Sequence, residues 1–330
     1  MIDLLDRKIL FLLCHNARYT DTDIARSLKT SRQVVSNRIS KMLHERIIHG
    51  FQTEVNYDAL QYSEAILLIQ SHNPEPLIHY LSKTPEHIYV SENYSKWNIL
   101  SYCIFRTLKD VQNIKREIIE KYDVTTIEVL IAEKNYEYSP LFKKFFEGIL
   151  HIPLPKSRSS FEKDFVLSSK KHISFQKNDG MLLHQLVQQC RTPLQEIAKK
   201  VNMSVPTIKK RMRELIRGKI IEKFVPAIDQ TKIGYQTHYI FIKLQKQREK
   251  DIETAVRVLY SIDGVAYVTK TMGKYNLIVD FYTNTKEEVE RITQQALLPL
   301  QDQIQELELV WALRDIKFKR YIPYKRNHNT

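Results

Sequence analysis

Between Leu4 and His44 the apolar positions recur at helical spacing in three short bursts separated by polar punctuation. They predict one helix from about Leu4 to His15, a second from about Asp21 to Leu28 and a third from Ser31 to His44. In the third, Val35, Ile39, Met42 and Leu43 form the inner stripe, and Ser31 is placed to cap the orphan N–H groups of the first turn. "RIIHGFQTEVNY" then turns β-like, as a hairpin wing would. Beyond Tyr57 the pattern gives "EAILLIQS", "EPLIHYLSK", "HIYVSEN", "WNILSYCIF", "DVQNIKREIIEKY" and "TTIEVLIAE", in the order β-α-β-β-α-β of a ferredoxin-like module.

The whole pattern then repeats. The stretch from Asp6 aligns without a gap with the stretch from Asp179 at an offset of 173: Arg18 meets Arg191, Ser31 meets Ser204, Arg38 meets Arg211 and Ile48 meets Ile221. Ile208, Met212, Leu215 and Ile216 form the second inner stripe, and "KIIEKFVPAIDQ" the second wing. "THYIFIKL", "YNLIVDFY" and "ELELVWAL" follow with period two, the last placing Leu307, Leu309, Trp311 and Leu313 on one face. Helical stretches from about Glu249 to Ser261 and Lys286 to Leu298 complete a second ferredoxin-like order.

The predicted class is α+β: two winged helix-turn-helix domains, 1–57 and 178–230, alternating with two βαββαβ ferredoxin-like domains, 58–134 and 231–313. Residues 135–177 have no steady period and read as a linker with one short amphipathic helix near Pro140 to Ile149; 314–330 read as a basic C-terminal tail. An antiparallel sheet covered by helices on one face must bury the other, so the modules should meet sheet to sheet, between halves of one chain or by self-association of chains.

Charge sharpens this plan. The net +13 is carried by the heads (+3 and +5), the linker (+4) and the tail (+5), whereas the two ferredoxin-like segments are net −3 and −1. Positive heads favour an acidic polymer; acidic sheets argue against an RNA-recognition surface. With no run of about 18 uncharged apolar residues and charges inside the apolar start, neither a membrane span nor a signal peptide is expected. Cys14, Cys103 and Cys190 are too dispersed for a disulfide framework or zinc knuckle, so a reduced, cytoplasmic protein is expected.

"LLDRKILFLLCHNARYTDTDIARSLKTSRQVVSNRISKMLHERIIHGF" closely resembles the DNA-binding head of the leucine-responsive (Lrp/AsnC) regulators: a Leu-Asp start, Asn-Ala-Arg before the second helix, a Ser-capped third helix with an internal Arg-Ile, and an Ile-Ile entry to the wing. The resemblance covers both halves apart from linker and tail, and two family units in one chain depart from the usual single unit. It implies a transcription regulator whose third helices read the major groove of double-stranded DNA. On residue chemistry, Arg32, Gln33, Ser36, Asn37 and Ser40 share the face left by the core stripe, while Arg38 and Lys41 sit where phosphates are expected. In the second head Val205, Pro206, Lys209, Lys210 and Arg213 occupy the equivalent positions, with Arg211 matching Arg38. The first head is therefore expected to read bases and the second to grip phosphates, with both heads reading different sequences as the alternative; one chain would cover two dissimilar half-sites about 34 Å apart.

In that family a Gly-x-Tyr-Asp-like turn lies at the amino-acid effector site. Its counterparts are "GKYN" and "SKWN", which nominate Tyr275, Asn276, Trp97 and Asn98 as effector contacts, set against a plain β-turn with a core aromatic. Asn in place of Asp removes the counter-charge for an ammonium group. A sirohaem-decarboxylase-like tetrapyrrole enzyme is the alternative on the same architecture, and a nonspecific chromatin-like DNA binder a third. The corresponding strands hold no His or Arg, and the chain has no ligand-spaced histidines, GxSxG, GxGxxG or GxxxxGK[ST]. No enzyme activity, metal or cofactor is therefore expected.

Overall fold

A computed structural model describes residues 2–137, 145–155, 161–166, 175–176 and 178–322. In chain order the elements are α1 (Leu4–His15), α2 (Asp21–Ser27), α3 (Arg32–His44) and β1 (Ile48–Val55). Then come β2 (Ser63–Ser71), α4 (Pro74–Lys83), β3 (His87–Tyr94), β4 (Ile99–Phe105), α5 (Leu108–Lys121) and β5 (Val124–Glu137). After α6 (Glu162–Val166) the repeat supplies α7 (Asp179–Gln188), α8 (Leu194–Val201), α9 (Val205–Arg217) and β6 (Ile221–Ile228). It closes with β7 (Gln236–Leu244), α10 (Glu249–Ser261), β8 (Val265–Met272), β9 (Leu277–Thr283), α11 (Lys286–Leu297) and β10 (Ile304–Phe318). Among the described residues two compact units form, one within 1–61, 148–229 and 319–322, the other within 62–147 and 230–318.

The first unit holds both helical heads. Each third helix starts at a serine whose Oγ accepts a first-turn amide, Ser31 from Val34 and Ser204 from Thr207, both at 3.2 Å. Such a cap contributes roughly 1 kcal/mol. Val35, Ile39 and Met42 are buried, as are Ile9, Leu10, Leu13 and Ile24 on the first two helices, but Leu43, expected inside, is 38% exposed. Its equivalent Ile216 is buried with Ile208, Met212 and Leu215, so the second stripe is the fuller one.

The expected hairpin wings are corrected. Each head contributes one eight-residue strand, and β1 pairs antiparallel with β6 about a centre at Gln52 opposite Val225. Those residues are themselves 173 apart, so a local pseudo-two-fold axis passes through the centre of the ribbon. A single strand leaves a row of unpaired N–H and C=O groups, and its own copy satisfies them. The junction is reciprocal: Ala17 N–H donates to Phe224 O and Cys190 N–H to Phe51 O, each at 2.8 Å. Arg18 donates to Cys190 O and stacks over Phe224; Arg191 donates to Ala17 O (3.0 Å) and stacks over Phe51.

The second unit is a closed eight-stranded antiparallel barrel in the order β10-β3-β4-β2-β5-β8-β9-β7. Each module's last strand overruns its own sheet to join the other module: β5 from Ile131 pairs with β8, and β10 from Trp311 pairs with β3. Two boundaries shift in consequence. Residues 135–137, expected as linker, and 314–318, expected as tail, are strand, because the edge of the other module captures them. Leu307, Leu309 and Trp311 pack under α10 and α11, but Leu313 falls at the irregularity after Ala312 and is exposed. α4 and α5 cover the first module's outer face, with Leu77, Leu81, Val111 and Ile118 buried there.

Inside the barrel Ile66, Leu68, Leu100 and Leu130 of one module meet Tyr239, Phe241, Ile278 and Val310 of the other. The sheet-to-sheet expectation is met between halves of one chain, whose inner faces cover each other. In the linker, residues 145–151 form turns where part of a helix was expected; Pro140–Lys144 lie outside the described residues.

Candidate nucleic-acid interface

A capped helix with one buried stripe must present its remaining side chains outward. On α3, Arg32, Gln33, Asn37, Ser40 and Lys41 are exposed and Ser36 is half-buried. Gln33 Nε2 donates to Asn37 Oδ1 at 2.8 Å, joining two amides one helical turn apart. Lys41 lies 3.9 Å from Glu45, a surface pair too open to tie it down. On α9, Pro206, Lys209, Lys210 and Arg213 are exposed and Val205 is half-buried. The first face offers amide and hydroxyl groups with a guanidinium; the second offers cations.

Arg38 and Arg211, both expected at phosphates, point the other way. Arg211 is 5% exposed, donates through Nε to Asp179 at 2.7 Å and also bonds Glu214. Its hydrogen bond to Asp179 holds the guanidinium above its ordinary pKa. Arg38 bonds Asp3 and Asp6 in the same way, though more openly. Asp3 sits below the usual carboxylate range, first because it accepts the Asp6 backbone N–H as cap and then through Arg38. Each arginine therefore fastens the third helix to the first, fixing the angle at which the outward face is shown. The signal was present in sequence: Asp6 and Arg38 recur together as Asp179 and Arg211.

A contact unforeseen in sequence lies at Arg213. Asp164 of α6, almost fully buried, accepts from Arg217 Nε at 2.8 Å and lies 3.8 Å from Arg213 Nε. Phe165 meets Phe224 edge-on beside it. Asp164 stands in a stretch without period, 53 residues from its partner, so spacing could not reveal it.

The four effector candidates are turned inward. Trp97 and Tyr275 belong to the barrel interior; the indole N–H donates to Glu308 at 3.1 Å, and the Tyr275 hydroxyl donates to Glu308 at 2.8 Å. Asn98 spans to β2, accepting from Ser71 N–H and donating to Ser71 O, and Asn276 accepts from Leu244 N–H. Both asparagines lock neighbouring strands; Asn98, which accepts and donates at once, needs an amide for it, whereas Asn276 uses its carbonyl oxygen. Around the rings, Lys96 pairs with Glu308 at 2.7 Å and Lys274 with Glu306 at 3.3 Å; sequence reading did not select these four. Gly273 has φ 141°, and a Cβ there would lie 2.7 Å from Leu130 Cδ2, which explains its glycine. Ser95 needs none, since its Oγ accepts the Trp97 N–H within an ordinary turn.

Burial pushes Cys103 and Cys190 up to about 12, so neither is a thiolate at neutral pH. His87, buried against Ser101, is lowered to about 3, and His238, bonded to Thr283, to about 4, both by burial first. No described helix is long and apolar enough to cross a membrane.

The family pattern described as the AsnC-type helix-turn-helix domain matches residues 2–43 and again 178–216. The regulatory protein AsnC of Haemophilus influenzae is 31% identical over 144 residues, which are 42% of this chain and 95% of that protein. The HTH-type transcriptional regulator Ptr1 of Methanocaldococcus jannaschii is 29% identical over 121 residues, 37% of this chain and 82% of that protein. Among solved structures, the sirohaem decarboxylase NirDL in complex with an iron-uroporphyrin III analogue superposes over 96% of this chain and 93% of its own, with TM-score 0.61 and 12% identity. That likeness speaks for the duplicated fold alone.

Proposed function

The chain belongs to the Lrp/AsnC family of helix-turn-helix transcription regulators, and from that membership we propose that one polypeptide does with two fused, unequal heads what a symmetric pair of single units would do. The first head reads base edges through Arg32, Gln33, Asn37 and Ser40. The second grips phosphates through Lys209, Lys210 and Arg213, with Val205 set for a thymine methyl. The observation carrying this reading is the contrast between two outward faces built on the same fastened and capped helix. Because the heads differ, the favoured DNA site has two dissimilar halves.

Catalysis is not part of this reading. The buried histidines and cysteines are held neutral, and the aromatic turns are committed to the barrel. An amino-acid-like effector would meet the charged quartet Lys96, Lys274, Glu306 and Glu308 instead of the four residues nominated by the turn motif. The work site is the compartment holding the chromosome, in keeping with three free cysteines.

The Lys209→Ala/Lys210→Ala variant tests the division of labour. Losing two phosphate contacts should weaken binding across all sequences and reduce the slope of log affinity against log salt by about 2. Relaxed base preference with an unchanged slope would show that the second head reads sequence.

A further inference from the structure

The hydrogen bond between Gln33 and Asn37 changes what either amide can do alone. Residues four apart stand about 6 Å along the helix axis, and the bond draws their side-chain ends together at 2.8 Å on an exposed surface. With Gln33 Nε2 donating to Asn37 Oδ1, the pair keeps one unused carbonyl, Gln33 Oε1, and one unused amino group, Asn37 Nδ2. Turning both amides over exchanges the roles and leaves the same outward pattern of one acceptor beside one donor.

We propose that Gln33 and Asn37 form a single composite reader for adenine in the major groove, present in the first head only. Adenine shows a donor at N6 beside an acceptor at N7, the complement of this pair. Guanine shows two acceptors and would leave the amide oxygen facing another oxygen. Cytosine shows a donor alone, and thymine an acceptor beside a methyl. The internal bond also removes rotamer freedom before DNA arrives, so less ordering is needed on binding. At the equivalent positions the second head has Pro206, which carries no side-chain amide, and Lys210, so the adenine preference is confined to one half of the site. This inference rests on the first head reading DNA.

Selection of randomised DNA by the full chain, followed by affinities for duplexes changed at one position, tests it with Gln33→Ala, Asn37→Ala, the double variant and Asn37→Asp. The wild type should prefer adenine at one position by roughly 5- to 150-fold. Either single alanine should abolish that preference, and the double should lose no more than the worse single. Asn37→Asp should move the preference towards cytosine, whose N4 amino group a carboxylate accepts. Adenine kept in both single variants, losses that multiply in the double, or adenine kept by Asn37→Asp would each overturn the composite reader while leaving DNA reading intact. No DNA binding by the wild type would overturn the reading beneath it as well.

Discussion

Arg211 and Asp179 show how a residue's chemistry can be legible while its job is not. An arginine on a recognition helix is a phosphate candidate by type, yet the repeat register had already paired it with an acid on another helix. With both partners nearly sealed, removing one leaves a buried charge uncompensated. Arg211→Ala should lower stability in denaturant unfolding by about 3–5 kcal/mol. Arg38→Ala, at a more open and solvent-screened pair, should cost clearly less. Equal small losses from both would show that neither arginine fastens its helix. Gln33, Asn37, Lys209 and Lys210 were legible because exposed helical positions follow directly from the buried stripe. Asn98 and Asn276 were not, since their partners lie on strands whose register the sequence does not state.

Helices were found close to their expected bounds where the period was clear, α3 with its serine cap and α10 on period alone. The wings were misread because a lone amphipathic strand looks the same whether its partner is the next segment or a copy 173 residues away. The overrun of β5 and β10 escaped for the same reason: Arg314 and Lys317 look like tail charges until Glu92 and Thr84 are seen beside them. At this scale the linker helix α6 makes its own prediction. Asp164 neutralises part of the cationic row on α9, so Asp164→Asn should raise DNA affinity and steepen its salt slope by about 1 as Arg213 and Arg217 are released. Unchanged affinity and slope would show that those arginines do not reach DNA.

For the molecule as a whole, duplication allows one chain to supply both halves of a ribbon and of a barrel, and then lets the halves diverge. The barrel interior records that divergence. Asp280 occupies the place of Tyr102 in the other module, with its Oδ1 sealed from solvent and no described partner, and lies near Asp315, which accepts from Tyr89 and Thr237. Burial, then the Asp315 charge, push Asp280 up to about 8. A carboxyl raised on folding stays protonated in the native state while the unfolded chain ionises near 4. Its stabilising contribution is whole below pH 4 and is lost as pH rises towards 8. His87 and His238 act oppositely, favouring the fold above their unfolded value near 6.5 and losing that contribution as pH falls towards 3 to 4. Asp280→Asn should therefore gain stability over the wild type between pH 4 and 8, by more than about 1 kcal/mol at pH 8, one pKa unit being worth about 1.4 kcal/mol. A difference independent of pH would show that Asp280 ionises normally.

If unequal heads on a duplicated scaffold make a sequence-reading regulator, footprint sequencing on a genomic DNA pool across a salt series will show it. Wild type should enrich one asymmetric motif. The Arg32→Ala/Asn37→Ala variant should lose that motif while keeping salt-dependent binding through the second head. Steeply salt-dependent binding with no motif in either protein would contradict the claim and leave a nonspecific DNA-coating protein in its place.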